Sequence, residues 1–108
     1  MTLQLAIRSY AYSLLRPLRT ASGAWQQREG WLLRLTCALS GRVGWGEVAP
    51  LDPEQRPVCA RALTRWQNSG VVECERDQLE ALLPTLPAEV GFALGASLAE
   101  LDGVVQAW

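Results

Sequence analysis

The basic residues of this chain are all arginines, and this limits the chemistry that the chain can perform. Among its 108 residues there is no lysine and no histidine, and ten residues are arginine. Arginine keeps its proton at any relevant pH, so it can bind an anion but makes a poor general base. The chain therefore lacks the two nitrogen bases that enzymes use most often. A reaction that abstracts protons with nitrogen would need groups from outside this sequence.

The three cysteines are far apart in the sequence and form no C-x-x-C pair. They are Cys37, Cys59 and Cys74. An odd number of cysteines in a chain without a visible secretory signal is typical of free, mostly buried thiols. Because histidine is missing, a zinc site of the Cys/His type and a Cys–His nucleophilic pair are both excluded.

Composition and charge are those of an ordinary globular domain. The chain is 49% hydrophobic and 19% charged, and its formal net charge is −1. A nucleic-acid binder would carry a clustered basic excess, and a membrane span would need about 20 consecutive apolar residues; the sequence has neither. The N-terminus has no basic region followed by an apolar run. We therefore expect one cytoplasmic domain with no nucleic-acid or membrane partner.

Alternating apolar residues fill the first half of the chain, and helical periodicity fills the second. The alternation predicts strands over residues 3–14, 27–38 and 42–48, with a mobile loop over residues 16–23. The apolar phase changes near Arg8, which indicates a bulge or a strand buried differently at its two ends. Separate runs of strands and helices predict an α+β fold.

Small residues mark two places where close packing is expected. Gly44 and Gly46 flank Trp45 in the third predicted strand. Glycines in a strand suggest the close approach of another backbone or a ligand. Small residues also make one side of the last predicted helix thin: Gly91, Gly95, Ala96 and Ala99.

Three helices are predicted after residue 51. Asp52 can cap the first, with Pro53 at its first position, and Gly70 can end it. A short second helix is expected over residues 77–83, and the last begins near residue 87. The apolar stripe of the first helix comprises Val58, Cys59, Ala62, Leu63 and Trp66.

The last helix carries an apolar stripe that continues to the final residue. Its members lie at spacings of three and four: Val90, Leu94, Ser97, Leu98, Leu101, Val105 and Trp108. A natural domain seldom ends with such a stripe running off its terminus. We therefore expect a chain that has been truncated.

Three segments, in this order and spacing, carry a family resemblance. They are RPLRTASGAWQQREG at residues 16–30, LSGRVGWGEVAPL at 39–51 and PAEVGFALGASLAEL at 87–101. They resemble the N-terminal capping domain of the enolase superfamily, nearest to its o-succinylbenzoate synthases. The resemblance implies that residues 1–108 form one capping domain, a three-stranded antiparallel sheet followed by a helical bundle. It also implies that the (β/α) barrel beneath such a cap is absent from this chain.

The same resemblance implies where the chemistry lies. In this superfamily two lysines and three Mg²⁺-binding carboxylates belong to the barrel, so no catalytic residue and no metal ligand is expected in this chain. Two lid segments would close over a small-molecule carboxylate substrate. The first lid segment is Leu18, Arg19, Thr20, Ala21, Ser22 and Gly23; the second lid segment is Val48, Ala49, Pro50 and Leu51. By its position Glu47 is the most enzyme-like carboxylate of the chain; the favoured interpretation is that it orders the lid by accepting hydrogen bonds from the lid backbone.

For the whole protein, the resemblance implies an Mg²⁺-dependent lyase. It would dehydrate a cyclohexadiene carboxylate, SHCHC, to o-succinylbenzoate in menaquinone or phylloquinone biosynthesis, with this chain inactive alone. Alternatively, the chain caps an N-succinylamino acid racemase, a dipeptide epimerase or a muconate cycloisomerase. A third hypothesis is a stand-alone interaction domain with few exposed apolar patches. A cap separated from its barrel would instead expose apolar surface.

Several side chains have two interpretations. Arg19 could pair with a substrate carboxylate or lie solvated in a loop. Arg28 and Glu29 could be a functional pair, although a weak surface ion pair is the commoner case. Four tryptophans lie on predicted apolar faces, which favours packing in the core or at a domain interface over stacking on a ligand: Trp25, Trp31, Trp45 and Trp66.

Overall fold

Four antiparallel strands form one sheet, and helices cover part of one of its faces. The computed structural model describes the backbone of residues 1–20, 23–67 and 71–103, and side chains for residues 1–11, 29–64, 66–67 and 71–103. The strands are β1 (Thr2–Thr20), β2 (Gly23–Cys37), β3 (Val43–Val48) and β4 (Val72–Glu75), in the spatial order β3-β2-β1-β4. The helices are α1 (Gln55–Gln67), α2 (Arg76–Leu82) and α3 (Ala88–Leu101), with a 3₁₀ turn at Leu83–Thr85. The predicted α+β class is confirmed.

The core forms where the alternating leucines of β1 and β2 meet the helices. Leu3 and Leu5 of β1 lie opposite Cys37 and Leu35 of β2, so the four side chains share one face of the sheet. All four are at most 5% exposed. The helices supply the other side of this core with Cys59, Leu63, Leu79, Val90 and Leu94.

Helix α3 packs directly on the backbone of β3. A Cβ atom at Gly44 would overlap the carbonyl oxygen of Ser97, and a Cβ atom at Gly46 would overlap that of Ala93. Only glycine allows the helix to come this near. The close approach predicted at these two glycines is therefore confirmed, and the approaching group is the backbone of a helix.

The thin side predicted for α3 is not the side that packs on β3. A Cβ atom at Gly95 would meet nothing within 4 Å, whereas Ala93 and Ser97 lie against the strand. Each residue turns an α-helix by about 100°, so Gly95 points well away from those two positions. The Ser97 hydroxyl is buried, and it donates to the carbonyl oxygen of Ala93 at 2.9 Å. The prediction at Gly95 was wrong because a small residue also occurs where a helix has no close neighbour.

The fourth strand corrects the expectation of a three-stranded sheet. β4 pairs with the first residues of β1, from Thr2 to Leu5. Its Val72 and Cys74 are half-buried and pack against the core, while its glutamates are exposed. A strand of four residues is too short to give a recognisable periodicity. The Glu75 carboxylate accepts hydrogen bonds from the Thr2 hydroxyl at 2.7 Å and from the N-terminal ammonium group at 3.2 Å.

β1 runs further than predicted, and its irregularity lies elsewhere. Pairing with β2 is continuous from Leu3 to Ser13, so there is no bulge near Arg8; the register shifts between Ser13 and Leu18. The phase change near Arg8 instead reflects burial, because Leu3 and Leu5 are buried whereas Ser9 and Ala11, on the same face of β1, are exposed. Of the two explanations offered by the sequence, different burial at the two ends is correct.

The three predicted helices are present. The carboxylate of Asp52 accepts from the backbone N–H of Glu54, and its carbonyl accepts from that of Gln55, both at 3.0 Å. Asp52 thus orders the turn that leads into α1, whose Leu63 and Trp66 are buried as predicted. The predicted positions Gly70, Val105 and Trp108 lie outside the described residues. The three cysteines are free, as expected.

Arg76 joins the start of α2 to the end of α3. Its two terminal nitrogens donate to the two carboxylate oxygens of Asp102, each at 2.5 Å, and its Nε donates to Glu80 at 2.9 Å. These hydrogen bonds lower the pKa of Asp102 and raise that of Arg76. A two-pronged pair of this kind fixes the orientation of both helix ends.

Candidate functional site

The two lid segments follow strands that run in the same direction. β1 and β3 are both antiparallel to β2, so both run toward the start of β2, but β1 ends opposite Gly23 and β3 ends opposite Trp31. The first lid segment spans the turn between β1 and β2, and the second begins at Val48, the last residue of β3. The fold therefore presents both segments in one direction, away from the turn that joins β2 to β3.

The first lid segment is largely a paired hairpin, which corrects the prediction of a loop over residues 16–23. Leu18, Arg19 and Thr20 pair with Trp25, Ala24 and Gly23 in the ladder. Ala21 and Ser22 lie outside the described residues, as do the side chains of the other four.

Pro17 explains why the sequence suggested a loop there. It falls within the register shift between Ser13 and Leu18, where a residue without an N–H group interrupts no ladder pair. Pairing then resumes, because a strand tolerates proline at an irregularity. The hairpin extends past the end of β3. β2 begins at Gly23, eight residues before Trp31, the partner of Val48, and eight residues of a strand span about 26 Å at ~3.3 Å per residue. The hairpin tip is thus well separated from the second lid segment.

The second lid segment has buried anchors and an exposed end. Val48 and Pro50 are buried, and Ala49 is half-buried. Leu51, in contrast, is 57% exposed. The segment therefore holds its backbone against the domain while it offers the Leu51 side chain to a partner or ligand.

A tyrosine from β1 reaches the start of the second lid segment. The Tyr10 hydroxyl donates to Oε2 of Glu47 at 2.5 Å. Tyr10 lies opposite Gly30 in the ladder, and a Cβ atom at Gly30 would lie 2.5 Å from the Tyr10 hydroxyl oxygen. The side chain of Tyr10 therefore passes across β2 at Gly30, where the missing side chain leaves room for it. That Glu47 orders the lid through backbone hydrogen bonds stays a prediction; its partner described here is a side chain.

The face of the sheet opposite the core carries two arginines beside apolar side chains. Arg8 and Arg34 line a depression of about 400 Å³ together with Leu32 and Trp45. The guanidinium carbon of Arg34 lies 5.9 Å from the centre of the Trp45 ring, a distance compatible with a cation–π contact. Both arginines alternate with the buried leucines of their strands, and this alternation could have revealed them in the sequence.

The tryptophans divide between the core and the surface. Trp31 and Trp66 are 8% exposed, so the prediction that they pack in the core is confirmed. Trp45 is 48% exposed and packs on the open face of the sheet, outside the core. The side chain of Trp25 lies outside the described residues, as does that of Arg28. Glu29, its predicted partner, lies 3.9 Å from a terminal nitrogen of Arg56 in α1.

The described residues bring together no metal-binding cluster, and two of the three thiols are poor nucleophiles, whereas hydrogen bonds with Ser40 lower the pKa of the third, Cys37. Across residues 1–20, 23–67 and 71–103, no three His, Cys, Asp or Glu side chains come together as a metal site. The residues present there thus do not fit the Mg²⁺ site of the superfamily. Burial, and then the neighbouring Glu89, raise the pKa of the Cys59 thiol. Burial likewise raises the pKa of Cys74, so both thiols are poor nucleophiles. No helix in the described ranges has the length and apolar character needed to cross a bilayer.

Comparison with known proteins gives consistent matches to one enzyme. No protein-family model matches the chain. It is 34% identical over 87 residues to an o-succinylbenzoate synthase of Edwardsiella ictaluri, a match that covers 74% of this chain and 23% of that protein. It is 50% identical over 44 residues to the o-succinylbenzoate synthase of Thermosynechococcus vestitus, with 41% of this chain and 13% of that protein covered.

A solved structure gives the same result for the fold. The crystal structure of o-succinylbenzoate synthase from Thermosynechococcus elongatus BP-1, complexed with Mg in the active site, matches with a TM-score of 0.55 and 30% sequence identity. The match covers 87% of this chain and 30% of that chain. This chain thus spans less than a third of each protein that it matches.

Proposed function

Because the chain is an o-succinylbenzoate synthase-like N-terminal domain, we propose that it caps the active site of an Mg²⁺-dependent lyase. In this proposal the whole protein dehydrates SHCHC to o-succinylbenzoate, and the chain contributes closure and substrate selection. The observation that carries the proposal is the direction of the two lid segments, which follow β1 and β3, two strands that run the same way along the sheet. A cap needs such a shared direction, because loops that close together over a site must approach it from one side.

The proposal assigns the proton transfers and the metal to a barrel outside this sequence. The chain has no lysine and no histidine, so it has no nitrogen base of the kind that this superfamily uses. The part of the chain that the structure describes also contains no group of side chains suited to Mg²⁺. We therefore place the Mg²⁺ and both proton-transfer groups in that barrel.

The proposed work of the chain is to exclude water and to hold the substrate in place. Leu51 is exposed on a segment whose neighbours Val48 and Pro50 are buried, so the segment is anchored while the Leu51 side chain is available to cover a ligand. Arg19 lies on β1 one residue from its end, where a guanidinium could bind a substrate carboxylate. Closing these groups over the site would remove water from a charged intermediate.

A chimeric enzyme tests this role. The matching N-terminal region of the Thermosynechococcus elongatus enzyme is replaced by this chain, and turnover of SHCHC is measured with Mg²⁺. We expect turnover, and we expect Leu51→Ala to lower kcat/KM by about tenfold, the usual scale for a lost apolar contact with a substrate.

Leu39→Ala is the matched control, because Leu39 is 97% exposed in the turn at the opposite end of the sheet. It should leave kcat/KM unchanged. Equal losses from both leucine variants would contradict a lid role for the second lid segment. A full-length parent that turns over N-succinyl amino acids or dipeptides but not SHCHC would overturn the proposed substrate.

A further inference from the structure

Tyr10 reaches across a neighbouring strand to the start of the second lid segment. We propose that Tyr10 is a positioning residue, which fixes the direction in which residues 48–51 leave the sheet. The contact that does this is its hydrogen bond to Glu47, at 2.5 Å. The relevance of this hydrogen bond to catalysis rests on the proposed function, but the hydrogen bond itself is present in the structure whatever the function.

The geometry at Gly30 carries the inference. A Cβ atom there would lie 2.5 Å from the Tyr10 hydroxyl oxygen and 2.6 Å from the carbonyl oxygen of Val48. Real side chains do not tolerate either distance, and the second involves backbone, which cannot rotate away. Gly30 thus provides the space in which the tyrosine and the end of β3 both pack on β2.

The location of the bond explains its effect on the lid. Trp31 and Val48 form the last pair of the ladder between β2 and β3, so no described ladder pair holds residues 49–51. Glu47 is one residue before that point. A hydrogen bond from β1 therefore joins three strands at the position where β3 ends. Such a cross-strand bond limits the fraying that the end of an edge strand otherwise undergoes.

Backbone amide hydrogen exchange of the 108-residue chain tests the inference. In Tyr10→Phe only the hydroxyl is lost, and the amides of Glu47 and Val48, the last two residues of the ladder between β2 and β3, should exchange about tenfold faster, the scale of a lost hydrogen bond to a charged group. Amides of α3 should keep their rates. Tyr12→Phe is the matched control, because Tyr12 pairs with Arg28, beyond the end of β3, and it should change nothing at Glu47 and Val48.

Two results would overturn the inference. The first is unchanged exchange at Glu47 and Val48 in Tyr10→Phe. The second is a uniform increase that includes α3, because Tyr10 would then support only the overall stability of the domain.

Variants of Glu47 and Gly30 separate the hydrogen bond from other effects. Glu47→Ala should raise exchange as much as Tyr10→Phe, and the double variant should be no faster than either, since both remove one interaction. Glu47→Gln keeps an acceptor oxygen and should restore most of the protection. Gly30→Ala should raise exchange further, because it displaces Val48 as well. Additive effects of Tyr10→Phe and Glu47→Ala would contradict a shared bond.

The chimeric enzyme links the contact to the lid. There Tyr10→Phe should raise KM for SHCHC several-fold with a smaller change in kcat, and Tyr12→Phe should change neither. If the unmodified chimera has no activity, the proposed function fails, while the exchange measurement still decides whether Tyr10 holds the end of β3. Unchanged exchange together with an active chimera would overturn the role of Tyr10 alone.

Discussion

The same two strands serve different purposes in two regions of this domain. In the region next to β3 and β4, β1 and β2 contribute the buried Leu3, Leu5, Leu33 and Leu35 and carry the helices. Beyond Val48, β1 and β2 pair only with each other in the part of the chain that the structure describes. We call the first region the covered sheet and the second the hairpin arm. Hydrophobic burial stabilises the covered sheet, whereas the arm has no third strand beside it.

Under the proposed function, this difference separates the region where a change in sequence affects folding from the region where it affects activity. A backbone surface shared with a helix leaves no room for added atoms, so small changes in the covered sheet act on stability. The arm extends about 26 Å past the end of β3 and can change with little effect on that packing. The predictions below test this separation by their effects on the free energy of unfolding.

The largest effect is expected where α3 packs on β3. Gly44→Ala and Gly46→Ala would each place a methyl group on a helix carbonyl, at Ser97 and Ala93 respectively. Neither neighbour is the free end of a side chain, so the helix must shift, and overpacking of this kind costs about 3 kcal/mol. Urea unfolding followed by far-UV circular dichroism should show the midpoint fall accordingly.

Gly95→Ala is the matched control for these variants. It adds the same methyl group to α3 at a position where nothing lies within 4 Å. Because alanine favours a helix over glycine, stability should rise by about 0.5–1 kcal/mol. If all three alanine variants had similar stability, the close packing of α3 on β3 would be refuted.

Local patterns predicted most of the covered sheet. The alternating leucines gave three of its strands, and Gly44 with Gly46 indicated the close approach of another chain segment. β4 was missed, because four residues carry too little periodicity. The predicted loop at residues 16–23 was wrong for a different reason. Pro17 and Gly23 break the local alternation, but Pro17 falls in the register shift and pairing resumes at Leu18.

The candidate site was less predictable than the fold. The resemblance identified the second lid segment, and the alternation of residues placed Glu47 on β3. Its partner Tyr10 is 37 residues away, so only the register of three strands brings the two side chains together. Arg8 and Arg34 were missed because the apolar residues of a strand predict its buried face, whereas these two arginines lie on the opposite face. Contacts across three strands depend on both registers, which are set by turn geometry as well as by the apolar pattern.

An intermediate effect is expected at the helix ends that Arg76 joins. Its hydrogen bonds hold the pKa of Asp102 below the unfolded value, which is about 3.9. The stability from this pair is therefore complete above about pH 4 and is lost as the pH falls through the folded pKa. Asp102→Asn should cost about 1 kcal/mol near neutral pH, since the pair is partly exposed. As the pH falls through the folded pKa of Asp102, the urea midpoint of Asp102→Asn should therefore fall less than that of the unmodified chain.

Glu73→Gln provides the comparison for that experiment. It removes an exposed carboxylate from β4, the strand that precedes α2. Its urea midpoint near neutral pH should match that of the unmodified chain, because surface substitutions change stability little. The same acid sensitivity in Asp102→Asn as in the unmodified chain would show that the Arg76 pair contributes nothing to stability.

The smallest effect on stability is expected from shortening the hairpin arm. Ser13 and Gln27 pair directly, so residues 14–26 can be replaced by Asn-Gly, the turn that two-residue hairpins favour. The covered sheet keeps all its strands, so the free energy of unfolding should change by less than about 0.5 kcal/mol, as for surface substitutions.

The chimera with this shortened chain should nevertheless lose turnover of SHCHC, because the first lid segment is gone. A stability loss of about 2 kcal/mol or more, the scale of a core truncation, would mean that the arm shares the core of the domain. The division between a region that folds and a region that closes over a substrate would then be wrong.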